Sequence, residues 1–172
     1  MRMNASMRRL LEGLSIDYRQ ELPDDAAYVL ESGWQVGPQG ALLLRALWGS
    51  GWGRDINPAE LGNYEYEVND VYVPLRDLAV DMDTYLSKAV SRTMSFTVRM
   101  LEQAKTLPEA DKLLSLVSVA IDIDSEDFLL QGGIVRFFTT RGNYPSWLSD
   151  LEGFELEALA LLHLDDIPLK PA

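Results

Sequence analysis

The stretch Leu113–Ile123, LLSLVSVAIDI, is the most informative for the fold, because its second half alternates between two kinds of side chain as a β-strand does. Positions 117, 119, 121 and 123 are valine or isoleucine and point one way, whereas the residues between them are small or acidic. A second run, Phe128–Thr140, is also rich in isoleucine, valine and phenylalanine. We therefore predict two antiparallel strands joined by a loop between Asp124 and Gly133.

A long amphipathic helix is predicted over Asp83–Leu107, where small and apolar residues recur every three or four positions. Asp81 or Asp83 can cap its start, and Pro108 follows its end. Phe154–Leu164 contains residue types that favour a helix, but its apolar residues also alternate as in a strand. We favour a third strand there, because the helix would be apolar nearly all round.

Shorter elements complete the prediction: helices over Ala5–Gly13 and Ala41–Trp48, a half-buried strand over Asn63–Pro74, and a helical turn over Pro145–Leu151. Pro74 argues against a central position for its strand, because proline cannot donate a ladder hydrogen bond. Together these elements indicate an α+β fold in which an antiparallel sheet of three or more strands packs against a long amphipathic helix and shorter helices. We expect a single domain over residues 1–172.

The chain is strongly acidic, with 27 Asp and Glu residues against 15 Lys and Arg and a formal net charge of -12. This surplus repels nucleic acid and anionic membranes and attracts basic proteins. Cysteine is absent, which removes disulfides and thiol chemistry and fits a reducing compartment. No apolar run is long enough to cross a membrane. We therefore expect a cytoplasmic protein that binds neither nucleic acid nor membranes.

One acidic group, Asp122, Asp124, Glu126 and Asp127, lies in the predicted loop. Carboxylates spaced two residues apart can converge on calcium or magnesium. The spacing fails as an EF-hand loop, because Asp127 stands where glycine is required and Gly133 stands where a bidentate glutamate is required. We therefore assign no metal site. A solvated loop is the simplest interpretation, and an acidic patch that binds a partner is the second.

Another acidic group lies between Asp55 and Asp83, where eight acidic residues accompany the single base Arg76. Tyrosine beside carboxylate suits the capture of a basic protein surface, since the ring supplies buried area and the charge supplies steering. The simpler interpretation is that the tyrosines face the core and the acids lie on the wet side of a strand. The candidate partner-binding residues in this group are Tyr64, Glu65, Tyr66, Glu67, Asp70 and Tyr72.

Two other features receive structural interpretations. The glycine-rich segment Gly49–Gly53 lacks the ending of a phosphate-binding P-loop, so we interpret it as a turn that displays Trp48 and Trp52, which are natural interface anchors if they are exposed. The only cationic stripe, Lys88, Arg92 and Arg99, follows one side of the long helix and is interpreted as its solvated face.

His163 is the only histidine, which limits acid–base catalysis near neutral pH. No Gly-x-Ser-x-Gly motif supplies a nucleophile for it, so we interpret it as a structural residue. We assign no catalytic residue and no cofactor, and we expect a binding protein and not an enzyme. A small hydrolase that works through paired carboxylates and a non-catalytic subunit of a larger assembly are the alternatives.

The segments Val117–Asp124, Val135–Phe138 and Tyr144–Leu148 resemble parts of bacterial immunity proteins. Those proteins are paired with the toxins of contact-dependent growth inhibition and other polymorphic toxin systems. This chain is similar to them in being small, acidic, free of cysteine and of predicted α+β class. The resemblance implies a tight inhibitory complex with one cognate toxin, commonly a nuclease, inside the producing cell. Because immunity families differ in fold, the resemblance transfers no functional residue to this chain.

Overall fold

The computed structural model describes residues 1–49, 53 and 55–167, and it combines two antiparallel sheets with helices. The strands are β1 (Arg2–Met3), β2 (Trp34–Val36), β3 (Leu42–Leu44), β4 (Asp70–Val73), β5 (Leu113–Ala120), β6 (Gly133–Thr139) and β7 (Glu157–His163). The α-helices are α1 (Ala5–Leu11), α2 (Asp24–Ser32), α3 (Leu61–Val68), α4 (Met82–Ala104) and α5 (Phe128–Gln131). The predicted α+β class is confirmed.

The larger sheet has five strands in the order β1-β7-β5-β6-β4, and every pairing in it is antiparallel. In its centre Val117 pairs with Val135 on one side and with Ala160 on the other. The predicted hairpin and the predicted third strand are therefore both confirmed. β4 lies at an edge of the sheet and Pro74 directly follows it, as the proline led us to expect.

The long helix α4 packs against one face of this sheet, which we call the inner face, and its bounds confirm the prediction. Helices α1 and α2 cover the other side of α4, so nearly every residue from Ala89 to Leu101 is buried. The buried Trp34 donates a hydrogen bond from Nε1 to the carbonyl of Met100 at 2.9 Å. Within the described ranges, no helix has both the length and the apolarity that a membrane crossing requires.

A smaller core lies on the opposite face of the sheet, the outer face, and is closed by α3 and by the 3-10 helix Ser146–Ser149. This short helix confirms the predicted turn over Pro145–Leu151. The buried residues of the smaller core are Tyr66, Leu116, Phe138, Leu148, Leu151, Leu159 and Leu161. They cover only part of the outer face.

The prediction of a helix over Ala41–Trp48 is wrong. After a 3-10 turn at Pro38–Gly40 the chain forms β3, which pairs with β2 in a hairpin of its own. All three leucines of β3 are buried, so the segment has no polar face from which its period could be determined.

The prediction of a strand over Asn63–Pro74 is correct only for Asp70–Val73, because Leu61–Val68 forms the helix α3. Alternating tyrosine and carboxylate suggested that the carboxylates face water. Glu65 is instead fully buried, and Leu61, Glu65 and Val68 recur at helical spacing on the covered side of α3. The strand was wrongly assigned because Glu65 was expected to face water, whereas it is buried and has its partners inside the protein.

Candidate protein-binding surface

Glu65, one of the predicted partner-binding residues, lies in the interior and does not contribute to a surface. Its Oε1 accepts hydrogen bonds from the Leu42 amide at 2.7 Å and from Arg141 Nη2 at 2.8 Å. Its Oε2 accepts hydrogen bonds from the amide and the hydroxyl of Thr139 at 2.7 and 2.6 Å. A buried carboxylate requires such partners, because burial without them is strongly unfavourable. This prediction is therefore corrected: Glu65 is a structural residue.

Asn69, one helical turn after Glu65, completes the same network. Its Oδ1 accepts a hydrogen bond from the Leu44 amide at 2.8 Å. Its Nδ2 donates to the carbonyls of Leu42 at 2.8 Å and Phe137 at 3.0 Å. The two side chains therefore join β3 to β6. We call Glu65, Asn69, Arg141 and Thr139 the buried polar network.

Tyr64 and Tyr66 also have structural contacts. The Tyr64 hydroxyl accepts a hydrogen bond from Trp48 Nε1 at 2.9 Å and donates one to the carbonyl of Gly53 at 3.0 Å. Tyr66 is buried against Phe138, with 5.5 Å between the ring centroids, and burial raises the pKa of its phenol. These tyrosines thus face neighbouring side chains, in line with the simpler interpretation.

Arg136 connects Tyr66 to the surface. Its Nη1 donates to the Tyr66 hydroxyl at 2.6 Å, and its Nη2 forms an ion pair with Asp70 at 2.7 Å. Glu67, Asp70 and Tyr72 are the members of this predicted group whose side chains are exposed. Trp52, the predicted anchor, lies outside the described residues.

Tyr72 links this group to the other predicted patch. Its hydroxyl donates to the carbonyl of Leu130 at 3.3 Å, and its ring lies directly over Gly132, where a Cβ would meet it at 2.3 Å. Leu130 belongs to α5, which directly follows the acidic loop. The exposed part of one predicted patch therefore adjoins the segment that carries the other.

The loop between β5 and β6 carries Asp122, Asp124, Glu126 and Asp127, and all of them reach solvent. It is anchored by Phe128, whose ring centroid lies 5.2 Å from that of Tyr85 near the start of α4. Among the residues described, no group of three histidine or carboxylate side chains lies close enough to hold a metal ion.

The contact between Phe128 and Tyr85 places a second acidic segment beside this loop. The 3-10 helix Arg76–Val80 and the first residues of α4 carry Asp77, Asp81 and Asp83. We call residues 77–83 and 122–130, with Tyr72, the acidic end of the molecule. The two segments contain seven acidic residues and no basic residue.

Two of these acids have cationic partners. Asp77 accepts two hydrogen bonds from Arg92 at 2.6 and 2.8 Å, and these bonds lower the pKa of Asp77. Asp81 lies 3.5 Å from Lys88. Arg92 is buried and also donates to the carbonyl of Pro74 at 3.0 Å, so the prediction that it belongs to a solvated face is wrong.

The remaining acids of the acidic end have no ion-pair partner in the part of the chain that the structure describes: Asp83, Asp122, Asp124, Glu126 and Asp127. Large apolar side chains are exposed among them. Val80 is 95% exposed and Leu130 61%, and Met82, Ile123 and Tyr72 are also exposed. Five exposed large apolar side chains therefore lie at this end, although others, such as Leu156 at 66%, are exposed elsewhere.

His163 lies at the end of β7 and contacts the turn before β5 and the residues that follow it. Its Nε2 lies 2.5 Å from the carbonyl oxygen of Asp111, and its amide donates to Asp166 at 2.8 Å. The ring thus joins the end of β7 to the turn before β5. None of these contacts places a nucleophile beside the imidazole.

Comparisons with protein-family models, with curated proteins and with solved structures gave no match to the chain. The candidate surface is therefore defined by its own geometry: unpaired carboxylates and exposed apolar side chains that share one end of the molecule.

Proposed function

We propose that the protein is an acidic binding partner that neutralises a basic protein toxin by forming a tight inhibitory complex with it. The observation that carries this proposal is the composition of the acidic end, where apolar side chains stand exposed among carboxylates that lack cationic partners. The acidic end is the proposed docking surface.

The two components of this surface have different physical roles. The carboxylates create a negative field that accelerates encounter with a basic partner and excludes anionic ones. Apolar groups such as Val80 and Leu130 supply area that is removed from water in the complex, and this slows dissociation. A surface that served only solubility would not require exposed apolar groups among its charges.

A nuclease is the proposed class of toxin. Nucleases bind phosphates through cationic surfaces, and a rigid array of carboxylates competes for the same positions. Asp124, Glu126 and Asp127 follow one another closely in a loop that the contact of Phe128 with Tyr85 anchors to α4 before binding.

The first test asks whether the chain protects cells. A basic toxin encoded beside this gene is expressed with and without the protein, and growth is measured. We expect growth only when the protein is present, and co-purification of the two chains. Continued killing at equal expression, or an absence of binding between the purified chains, contradicts the proposal.

The second test locates the surface. Asp124→Lys combined with Glu126→Lys should slow association with the toxin about tenfold at low salt, because steering charges act on the association rate. Leu130→Ser should instead raise the dissociation rate. The control, Glu109→Lys combined with Asp111→Lys, makes the same change of charge at two exposed acids before the opposite end of β5, of which Glu109 pairs with Lys112. Equal rates for the two charge-reversal pairs would place the interface elsewhere.

A further inference from the structure

A cleft on the outer face of the sheet is separate from the acidic end. It lies between the sheet and the segment 142–149 and encloses about 330 Å³. This volume is within the range of sites that bind small molecules. Leu114, Leu148 and Leu161 form its apolar floor. Leu148 and Leu161 are buried and Leu114 is half-buried, so the floor offers a small apolar area that the body of a ligand can cover.

The walls of the cleft are held in place. Asn143 donates from its amide to the carbonyl of Ala59 at 2.6 Å and from Nδ2 to Glu60 at 2.6 Å. The ring of Tyr144 stacks on that of Phe138 with 6.0 Å between centroids. A cleft with such walls loses little conformational freedom when a ligand binds.

Arg2 is the only charged residue among the described ones that line this cleft. Its Nη2 donates to the carbonyls of Leu148 at 3.0 Å and Ser149 at 2.6 Å, which holds the guanidinium against the wall. No carboxylate pairs with it among the residues described, and its Nε and Nη1 groups make no hydrogen bond to them. A positioned cation therefore has three N–H groups free for an anion.

This composition contrasts with the other clefts and with the chain as a whole. One cleft of similar size is lined by Arg92 together with three acids, Glu21, Asp24 and Asp77, and another contains Glu157. In a protein with a net charge of -12, an anion meets less repulsion in a cleft whose described lining has an arginine and no carboxylate than in one lined by acids.

We propose that this cleft binds an apolar carboxylate, whose charged group pairs with Arg2 while its hydrocarbon part covers Leu114 and Leu161. The charge-assisted hydrogen bonds supply preference for an anion, and the leucines supply preference for an apolar body. Two sources share this chemistry: the C-terminal residue of a peptide and a free aliphatic acid. The proposal does not depend on the toxin, because the cleft and the acidic end share no residue.

The test uses the full chain and follows backbone amide resonances of residues 142–149 by NMR during titration. The probes are N-acetylleucine for a peptide C-terminus and octanoate for an aliphatic acid, each compared with its neutral amide. We expect saturable shifts confined to the cleft with at least one acid, and binding at least tenfold weaker for its amide. The acid that binds more tightly identifies the source. Equal affinities for acid and amide, or no shift with either acid, overturn the proposal.

Three variants examine the role of Arg2. Arg2→Gln should weaken binding of the acid about tenfold, whereas the matched control Arg9→Gln on the exposed side of α1 should not change it. Arg2 also joins β1 to the segment 148–149, so Arg2→Gln can loosen the cleft itself. Ser146→Glu keeps Arg2 and adds a carboxylate to the exposed lining, and it should abolish binding of the acid. Acid binding that survives Ser146→Glu contradicts the proposal.

Discussion

The buried polar network and the acidic end both contain carboxylates, but they place them in opposite environments. Glu65 has no exposure and four hydrogen bonds, and it joins α3 to β3 and β6. Asp124 and Glu126 are exposed and have no cationic partner among the described residues. Negative charge therefore has two roles in this chain. In the buried polar network it stabilises the packing of α3 on the strands, and in the acidic end it remains available to a partner.

Net charge alone therefore does not locate an interface, because it does not distinguish buried acids from exposed ones. Removing an acid from the buried polar network leaves its partners without hydrogen bonds inside the protein. Removing one of the unpaired acids from the acidic end, such as Asp124 or Glu126, leaves only solvated neighbours and relieves repulsion. The two regions should therefore respond oppositely to substitution, and the following variants test that difference in order of expected effect.

Glu65→Ala should have the largest effect. It leaves Arg141 and the amides of Leu42 and Thr139 without their partner, and loss of one member of a buried ion pair costs about 3–5 kcal/mol. Urea unfolding followed by circular dichroism gives the free energy of unfolding. Glu67→Ala, an exposed position on the same helix, is the control and should change it by less than about 0.5 kcal/mol. Equal losses for both variants would mean that the buried polar network does not hold α3.

Asn69→Ala should reduce the free energy of unfolding by about 2 kcal/mol, because each buried group left unpaired carries its own desolvation penalty. The groups concerned are the Leu44 amide and the carbonyls of Leu42 and Phe137. Asn63→Ala, in the first turn of the same helix and only half-buried, is the control. Hydrogen exchange at Leu44 should accelerate in Asn69→Ala alone. If that amide remains protected, the contact between Asn69 and β3 is not required.

The two regions also differ in how far they could be predicted from the sequence. The β5–β6 pairing was predictable, because strong alternation in Leu113–Ile123 indicates a half-buried strand without knowledge of its partners. The burial of Glu65 was not, since its partner Arg141 lies 76 residues away. The four-residue spacing of Glu65 and Asn69, one helical turn, was the available signal, but the alternating tyrosines indicated a strand equally well.

The acidic end was predictable in its charges and not in its apolar component. Asp122, Asp124, Glu126 and Asp127 were identified from their spacing. Val80 is apolar and would be assigned to a core by default, yet it is 95% exposed. The structure, through the contact between Phe128 and Tyr85 and the packing of α5 on the 3-10 helix Arg76–Val80, shows that residues 77–83 lie beside the acidic loop.

Asp77 shares a feature with each of the two regions. It belongs to the acidic end, but like Glu65 it pairs with an arginine, here the buried Arg92. Since hydrogen bonds from Arg92 lower its pKa in the folded state, the pair stabilises the protein at neutral pH. That contribution is lost as the pH falls through the lowered pKa of Asp77. Asp77→Asn should cost at most about 1 kcal/mol at pH 7, since the Asp77 side chain is 60% exposed.

Urea midpoints measured from pH 7 to pH 2 should show the difference between Asp77→Asn and the unchanged protein disappearing at the acid end of the series. Asp83→Asn, which removes an acid without an ion-pair partner among the described residues, should not reproduce this pattern. If the urea midpoint of Asp77→Asn remains lower than that of the unchanged protein at pH 2, the Asp77 side chain holds Arg92 in place through its shape and not through its charge.

The smallest expected effect on stability separates the two regions most sharply. Asp124→Lys combined with Glu126→Lys should change the free energy of unfolding by less than about 0.5 kcal/mol, because both side chains are exposed and have no partner to lose. Salt screens repulsion between exposed charges, so it should stabilise the unchanged protein more than this variant. The same variant should associate with a basic partner about tenfold more slowly, because these charges steer association although they do not contribute to stability. A stability loss as large as that of Asn69→Ala would assign the acidic end to the fold, and the case for a docking surface there would fail.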